Sequence, residues 1–112
     1  MAARANLYID QGATFSSDVT VKDLNNNAFD LTGHTAVAKM ASGYESTKTR
    51  TTISTTIAAD PTTGVITLSL TPAETTLISE GRYVYDLEIT SGTGEVTRVI
   101  EGIMSVTPQV ST

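Results

Sequence analysis

Side chains that perform metal or nucleophilic chemistry are few in this sequence. His34 is the only histidine, and cysteine is absent from all 112 residues. A zinc centre needs several such ligands around one ion, and a thiolate nucleophile needs a cysteine, so neither is predicted. His34 follows Gly33 in a turn-like segment, and we interpret it as an ordinary loop or interface residue.

The acidic residues of the first third of the chain are candidate cation ligands, but they are dispersed. They are Asp10, Asp18, Asp23 and Asp30. A calcium site needs several oxygen atoms that converge on one ion, and loops at one end of a β-sandwich can bring Asp23 and Asp30 together. Their spacing matches no calcium-binding loop. The sequence therefore predicts no metal and no other cofactor.

Asp86 and Glu88 are the carboxylate pair most suited to catalysis, because residues two apart on a strand share a face. Paired carboxylates about 5 to 10 Å apart hydrolyse glycosides. However, solvent-facing strand residues are usually polar, and Arg98 and Glu101 can pair with these acids across a sheet. The chain also lacks a Gly-x-Ser-x-Gly elbow and a phosphate-binding glycine loop. We predict that the protein is not an enzyme.

Short β-strands are the elements predicted to carry these residues. Threonine is abundant and apolar residues alternate with polar ones, which is typical of half-buried strands. Strands are predicted at 7–10, 15–23, 35–40, 51–57, 65–70, 82–90 and 96–106. About seven short strands in about a hundred residues are typical of an all-β, immunoglobulin-like antiparallel β-sandwich. Residues 1–112 are predicted to form one such domain with loose termini.

The alternation also predicts which side chains face the core. In the fifth predicted strand, Ile66 and Leu68 face inward. In the last predicted strand, Arg98 shares a face with Ile100, while Glu101 lies on the other face. Apolar residues occur on both faces of this strand, so part of it is predicted to be covered on both sides.

One segment predicts a helix. Thr71 is suited to the N-cap, Pro72 to the first helical position, and Glu74 completes a capping box. Gly81 ends the pattern, so the predicted helix is short, near residues 72–79. A helix of this length fits a crossing between two sheets better than it fits a core position.

Charge and hydropathy exclude several classes of partner. The net charge of −5 argues against binding to nucleic acid or to an anionic membrane, because both require clustered lysine and arginine. No apolar run reaches the length of a signal peptide core or a membrane span. We therefore expect a soluble protein that is made in the cytoplasm.

Several short segments, taken in order, resemble a family of phage proteins. The segments are QGATF at 11–15, VTVKD at 19–23, DLTGHT at 30–35, GVITLSLT at 64–71 and EGRYVYDL at 80–87. Their order resembles small virion proteins of tailed phages. It is also similar to the immunoglobulin-like N-terminal domain of upper baseplate proteins from phages that infect Gram-positive bacteria.

This resemblance implies a non-enzymatic structural protein of the virion, made in the host cytoplasm. Such domains occur in the tail, baseplate, neck or fibre attachment, or as capsid decoration. The implied partners are other virion proteins, within a homo-oligomer or a symmetric assembly, and no catalytic residue or cofactor is implied. The further segments of the larger baseplate proteins have no counterpart here, which favours a stand-alone accessory or connector protein.

A second resemblance concerns the segment from Gly81 to Tyr85. It is similar to the Asp-x-Gly-x-Tyr-x-Cys stretch of immunoglobulin domains, with Tyr85 at the position of the cysteine. The resemblance implies that Tyr83 is the corner tyrosine, whose hydroxyl binds backbone nearby. Ser79 replaces the usual acid.

The segment 41–49 is the candidate interaction loop. Lys39, Lys48 and Arg50 flank or belong to this segment and form a local basic patch beside Tyr44. Two interpretations stay open, a mobile connection or a docking loop that becomes ordered on a neighbouring protein.

The alternative function is a carbohydrate- or cell-surface-binding module, which usually displays exposed aromatic rings for stacking on sugars. The candidate rings are Tyr8, Phe29 and Tyr44. Burial of Tyr8 and Phe29 in the core would leave Tyr44 as the ring that carries this function.

Overall fold

The computed structural model describes residues 3–45 and 48–110, and most of them belong to β-strands. The chain forms an immunoglobulin-like β-sandwich with one short α-helix. The elements are β1 (Ala3–Arg4), β2 (Leu7–Asp10), β3 (Phe15–Thr20), β4 (Thr35–Ala41), β5 (Thr51–Ile57), β6 (Val65–Leu70), α1 (Pro72–Thr76), β7 (Gly81–Thr90) and β8 (Val96–Thr107). The predicted loose ends at 1–2 and 111–112, and part of the predicted loop at 46–47, lie outside the described residues.

Strand β5 joins the two layers of the sandwich. The strand order is β1-β8-β7-β4-β5-β6-β3, and β2 also pairs with β8. The first half of β5 pairs with β4, with Ile53 opposite Ala38, and its second half pairs with β6, with Ile57 opposite Ile66. The sheet therefore curls and packs the layer β3–β6–β5 against the layer β4–β7–β8.

The core lies between these two layers. Ile66, Leu68 and Leu70 of β6 face it, and so do Tyr85 and Leu87 of β7, as the alternation predicts. Burial of each such aliphatic side chain contributes about 1.5–3 kcal/mol relative to leaving it in water. This burial fixes the strand register, because a slip by one residue would turn every core side chain outward.

The N-terminal strands correct the prediction of an all-antiparallel sandwich. Ala3 pairs with Ile100 and Leu7 with Met104, and in both cases the strands β1 and β2 run parallel to β8. Local alternation predicts a strand but carries no information about the distant strand that lies beside it. Consecutive strands joined by tight turns are antiparallel, whereas β1 and β2 pair with the last strand of the chain.

A short interruption separates β1 from β2. The Ala5 N–H donates to the Glu101 carbonyl at 2.9 Å, and the Ile103 N–H donates to Oδ1 of Asn6 at 3.2 Å. The Asn6 side chain thus replaces a backbone acceptor where the ladder is broken. Gly102 lies opposite this interruption and is buried, so the backbone of the N-terminal strand approaches β8 closely.

A β-bulge in β8 makes the predicted face of Arg98 wrong. Leu87 pairs with Ile100, but the next residue, Glu88, pairs with Arg98, so that Val99 is the extra residue. An extra residue reverses the alternation on one side of the bulge. Arg98 therefore lies on the outer face with Glu101 and not on the inner face with Ile100.

Helix α1 is shorter than predicted. Thr71 and Glu74 form the capping box, with the Glu74 N–H donating to Oγ1 of Thr71 and the Thr71 N–H donating to Oε1 of Glu74. The helix ends at Thr76, and residues on both sides of its end have tertiary partners. The buried Thr75 hydroxyl donates to the Ala13 carbonyl at 2.9 Å, and Gln11 Nε2 donates to the Ile78 carbonyl at 2.9 Å. These bonds attach α1 to the connection between β2 and β3.

Candidate interaction surfaces

The outer face of β4, β7 and β8 carries a charged row. Asp86 lies between Lys39 of β4 and Glu101 of β8 in the strand register. Arg98 Nε is 3.3 Å from Asp86 Oδ2, and Arg98 Nη1 is 3.5 Å from Glu101 Oε1. Arg98 thus lies between two carboxylates that would otherwise repel each other across the strands. Because these side chains are partly exposed, each pair contributes at most about 1 kcal/mol.

The two carboxylates considered for catalysis lie on the charged outer face of the sheet. Asp86 is engaged by Arg98, and Glu88 lies one row further along the same outer face. His34 lies in a turn, where Nδ1 is 3.2 Å from the Thr32 carbonyl oxygen and the imidazole meets the Phe29 ring edge to face at 5.5 Å. These three groups do not come together in one site.

The four aspartates considered as cation ligands have separate partners. Asp10 and Asp18 lie in strands, where they accept the hydroxyls of Thr107 and Thr67, and Asp23 and Asp30 each close a turn. Oδ1 of Asp23 accepts the N–H groups of Asn25 and Asn27 at 2.9 and 3.0 Å. Oδ1 of Asp30 accepts the hydroxyl and N–H of Thr32, and these bonds hold the pKa of the Asp30 carboxyl below its ordinary value. Among residues 3–45 and 48–110, no group of three acidic or histidine side chains is placed to hold a metal ion.

Arg50 organises the candidate interaction loop. Its Nη1 donates to the carbonyls of Gly43, Glu45 and Lys48 at 3.4, 3.1 and 3.1 Å, and its Nη2 donates to the Tyr44 carbonyl at 3.1 Å. Hydrogen bonds from a charged donor are stronger than neutral ones. The guanidinium therefore shapes the loop from within, which accounts for an arginine at this position without any external partner.

The structure brings three of the four predicted loop residues together. Lys39, Tyr44 and Arg50 border a shallow pocket of about 60 Å³, together with Val84 and Asp86. This volume is far below the roughly 300–1,000 Å³ of typical ligand pockets. The Tyr44 side chain is 62% exposed. Such a surface can form one side of a protein contact, but it cannot enclose a small molecule.

Replacing Arg50 with methionine is expected to loosen this loop. Loss of the four charge-assisted bonds should accelerate amide hydrogen exchange in residues 43–45 and at Lys48 by about tenfold and lower the free energy of unfolding by about 1 kcal/mol. Lys48→Met is the matched control, because the Lys48 carbonyl, and not its side chain, binds Arg50. Exchange by mass spectrometry measures both variants, and equal rates in the two would contradict the organising role of Arg50.

Two tyrosines of β7 hold neighbouring backbone. The Tyr83 hydroxyl donates to the Ser79 carbonyl at 2.6 Å, which is the contact that the immunoglobulin resemblance implies. Tyr85 occupies the position of the immunoglobulin cysteine; its ring is buried and its hydroxyl donates to the Ala5 carbonyl at 2.5 Å. This second bond attaches the N-terminal segment to the core.

A large open groove is a second surface feature, and it has no clear signal in the sequence. It has a volume of about 920 Å³ and lies between β3 on one side and β1 with the start of β8 on the other. The curled sheet does not close here, because no described strand pairs with the outer edge of β3 or of β1. Strand signals in the sequence identify β3, but they cannot show which of its edges lacks a neighbour.

Comparisons with known proteins show likeness in fold only. No protein-family model matches the sequence, and no curated protein matches it. The chain is similar to the filamin domain of Lin-41, at 16% identity over 89% of this chain and 82% of that chain, with a TM-score of 0.48. It is also similar to an internalin-like protein of Listeria monocytogenes, at 19% identity over 95% of this chain and 28% of that chain, with a TM-score of 0.49.

The chain is thus an immunoglobulin-like β-sandwich with exposed strand edges and a charged outer face. Its single described α-helix has five residues. Within residues 3–45 and 48–110, no helix combines the length and the apolar character that a membrane crossing requires.

Proposed function

We propose that this chain is a non-enzymatic structural component of a bacteriophage particle that acts through protein–protein contacts. Its place would be in the tail, baseplate, neck, fibre attachment or capsid decoration. The observation that carries the proposal is the pair of strand edges without a partner among the described residues, on β3 and on β1–β2. Exposed edges are surfaces on which another chain can add a strand, which suits a protein that assembles.

The charged outer face supports the same proposal. Across the strands, Lys39 is followed in register by Asp86, Glu101 and Arg4. Because this row contains positive and negative side chains, it favours a neighbouring protein in the alignment that places opposite charges together and disfavours other alignments. Such a row contributes specificity more than affinity. The chain has few aromatic residues to act as hot spots. Affinity is then expected from repetition in a symmetric assembly with copies of itself and other virion proteins.

The described polar groups give no support to an enzymatic role. Asp86 is bound by Arg98, Asp30 by Thr32, and the His34 ring packs on Phe29. Asp86 and His34 therefore have local structural partners, and Glu88 lies on the outer face of the sheet.

Quantitative peptide mass spectrometry of purified phage particles tests the proposal, with the major capsid protein as the internal reference. A copy number near that of the capsid protein is expected for a capsid decoration. A low multiple of the tail symmetry is expected for a neck, baseplate or fibre-attachment protein. Absence of the chain from particles would refute the structural role.

Exposed tyrosines favour a carbohydrate- or cell-surface-binding module as the second candidate. Tyr8 is 68% exposed and Tyr44 is 62% exposed, whereas Phe29 packs against the core. A glycan array probed with the wild-type protein, Tyr44→Ala and Tyr8→Ala tests this function. Binding that is lost in Tyr44→Ala would support it, and the absence of binding across a broad array would count against it.

A further inference from the structure

We propose that the groove between β3 and β1 accepts an extended segment of a partner protein as an added β-strand. Residues 17–22 form one wall of the groove, and residues 3–5 with the start of β8 form the other. Consecutive residues of β3 border the groove, whichever way their side chains point. This occurs when a groove runs along the edge of a strand and not across one of its faces.

Free backbone groups face the groove from both walls. The Val21 N–H donates to the Gly64 carbonyl at 2.8 Å on the side of β6. Because successive peptide groups of a strand point in opposite directions, those of Asp18 and Thr20 point away from β6 and into the groove. On the opposite wall, the Ala5 N–H donates to Glu101 of β8, so the peptide group of Arg4 faces the groove. No backbone partner for these three residues occurs among the described residues.

The floor of the groove is apolar and belongs to both layers. Val19, Ile89 and Ile100 are buried there, and Val99 and Phe29 are half-buried. Val99 is the extra residue of the β8 bulge, so the bulge itself adds apolar surface to the floor. An added strand would place every second side chain on this floor and the others in solvent.

The rim carries charges of both signs. Arg4 and Lys22 are basic, and Asp18, Asp23 and Glu95 are acidic. A partner of either net charge therefore gains little binding energy from the rim. The feature that the groove recognises is the alternation of apolar and polar residues along the partner segment. Residues 17–22 of this wall, of which 17–20 belong to β3, span about 20 Å when extended, so a segment of about six residues fits along the wall.

The backbone groups favour a polypeptide over an apolar small molecule. A lipid chain or similar ligand in the groove would cover the peptide groups of Asp18 and Thr20 without satisfying them. Burial of a peptide group without a hydrogen-bond partner is unfavourable in proteins. An added strand satisfies the same groups through a ladder of hydrogen bonds, which is the basis of strand addition to exposed edges.

Selection from a yeast-displayed library of random ten-residue peptides on the purified protein tests this proposal. We expect enriched peptides with apolar residues at alternate positions. Thr20→Pro should weaken their binding by about tenfold or more, because it removes an N–H that faces the groove but none that pairs with β6. Ser16→Pro is the matched control, since Ser16 has the same orientation on β3 but lies outside the groove, and it should change binding by less than about threefold.

Amide hydrogen exchange gives a second measurement that needs no variant. A selected peptide should slow exchange of the Asp18 and Thr20 amides. The absence of enriched peptides would overturn the proposal, and so would equal binding to the wild-type and Thr20→Pro proteins or unprotected edge amides in the complex. Because the purified protein is used, these outcomes are independent of whether the chain is found in phage particles.

Discussion

Gly102→Ala is expected to lower the free energy of unfolding by about 3 kcal/mol. A Cβ at this position would lie 2.0 Å from the Ala5 carbonyl oxygen and 2.8 Å from its carbon. Both atoms belong to backbone, so no side-chain rotation relieves the clash. The N-terminal strand would have to move away from β8, and the hydrogen bond between Ala5 and Glu101 would be strained.

Gly92→Ala is the matched control for this prediction. The nearest atom to a new Cβ at Gly92 is the Gly33 carbonyl oxygen at 3.8 Å, which is an ordinary contact. We expect a change within about 0.5 kcal/mol, as for most surface substitutions. Urea unfolding of the two variants and the wild type measures the difference. Wild-type stability of Gly102→Ala would contradict the close parallel packing of the N-terminal strand on β8.

Tyr85→Phe is expected to have the next largest effect, a loss of about 1–3 kcal/mol in the free energy of unfolding. The Tyr85 side chain is 2% exposed, and its hydroxyl donates to the Ala5 carbonyl. Phenylalanine would fill the same space but would leave that carbonyl without its donor. Urea unfolding of this variant measures the loss. Tyr83→Phe provides the comparison, because the Tyr83 hydroxyl bonds the more exposed Ser79 carbonyl and its loss should cost less.

The same residue makes stability fall at alkaline pH. Burial raises the pKa of Tyr85 to about 12, above the ordinary value of 10.0. Below pH 10 the phenol is neutral in both the folded and the unfolded chain, and its contribution is complete. As the pH rises from about 10 to about 12, the unfolded chain loses the proton first, so the folded state loses stability.

Thermal melts between about pH 9 and pH 12 isolate this contribution. The decline in melting temperature should be shallower in Tyr85→Phe than in the wild type. Identical slopes in the wild type and Tyr85→Phe would show that the folded chain leaves the Tyr85 hydroxyl open to water.

Local patterns in the sequence were enough to locate most of the strands and the start of the helix. Ile66 and Leu68 face the core because alternation places them there, and Thr71 caps α1 because its side chain and Glu74 satisfy adjacent backbone groups. The parallel pairing of β1 and β2 was not predictable in this way, since it joins residues nearly a hundred positions apart. The face of Arg98 depends on one extra residue, Val99, which no local pattern identifies.

The candidate surfaces were predicted less completely than the fold. The sequence placed Lys39, Tyr44 and Arg50 near one loop, and the structure brings them around one shallow pocket. It could not indicate that Arg50 bonds loop carbonyls, because that role depends on the path of the backbone and not on residue type. The groove beside β3 exists because two distant edges fail to meet, which only the tertiary arrangement determines.

Hydrogen exchange of assembled particles tests most directly the claim that this chain functions through its strand edges. Exchange would be measured by mass spectrometry for residues 15–22 in the purified protein and in intact phage particles. The proposed function predicts slower exchange of this segment in particles, because a neighbouring chain would pair with the free edge of β3. Equal exchange rates of residues 15–22 in the two samples would contradict it.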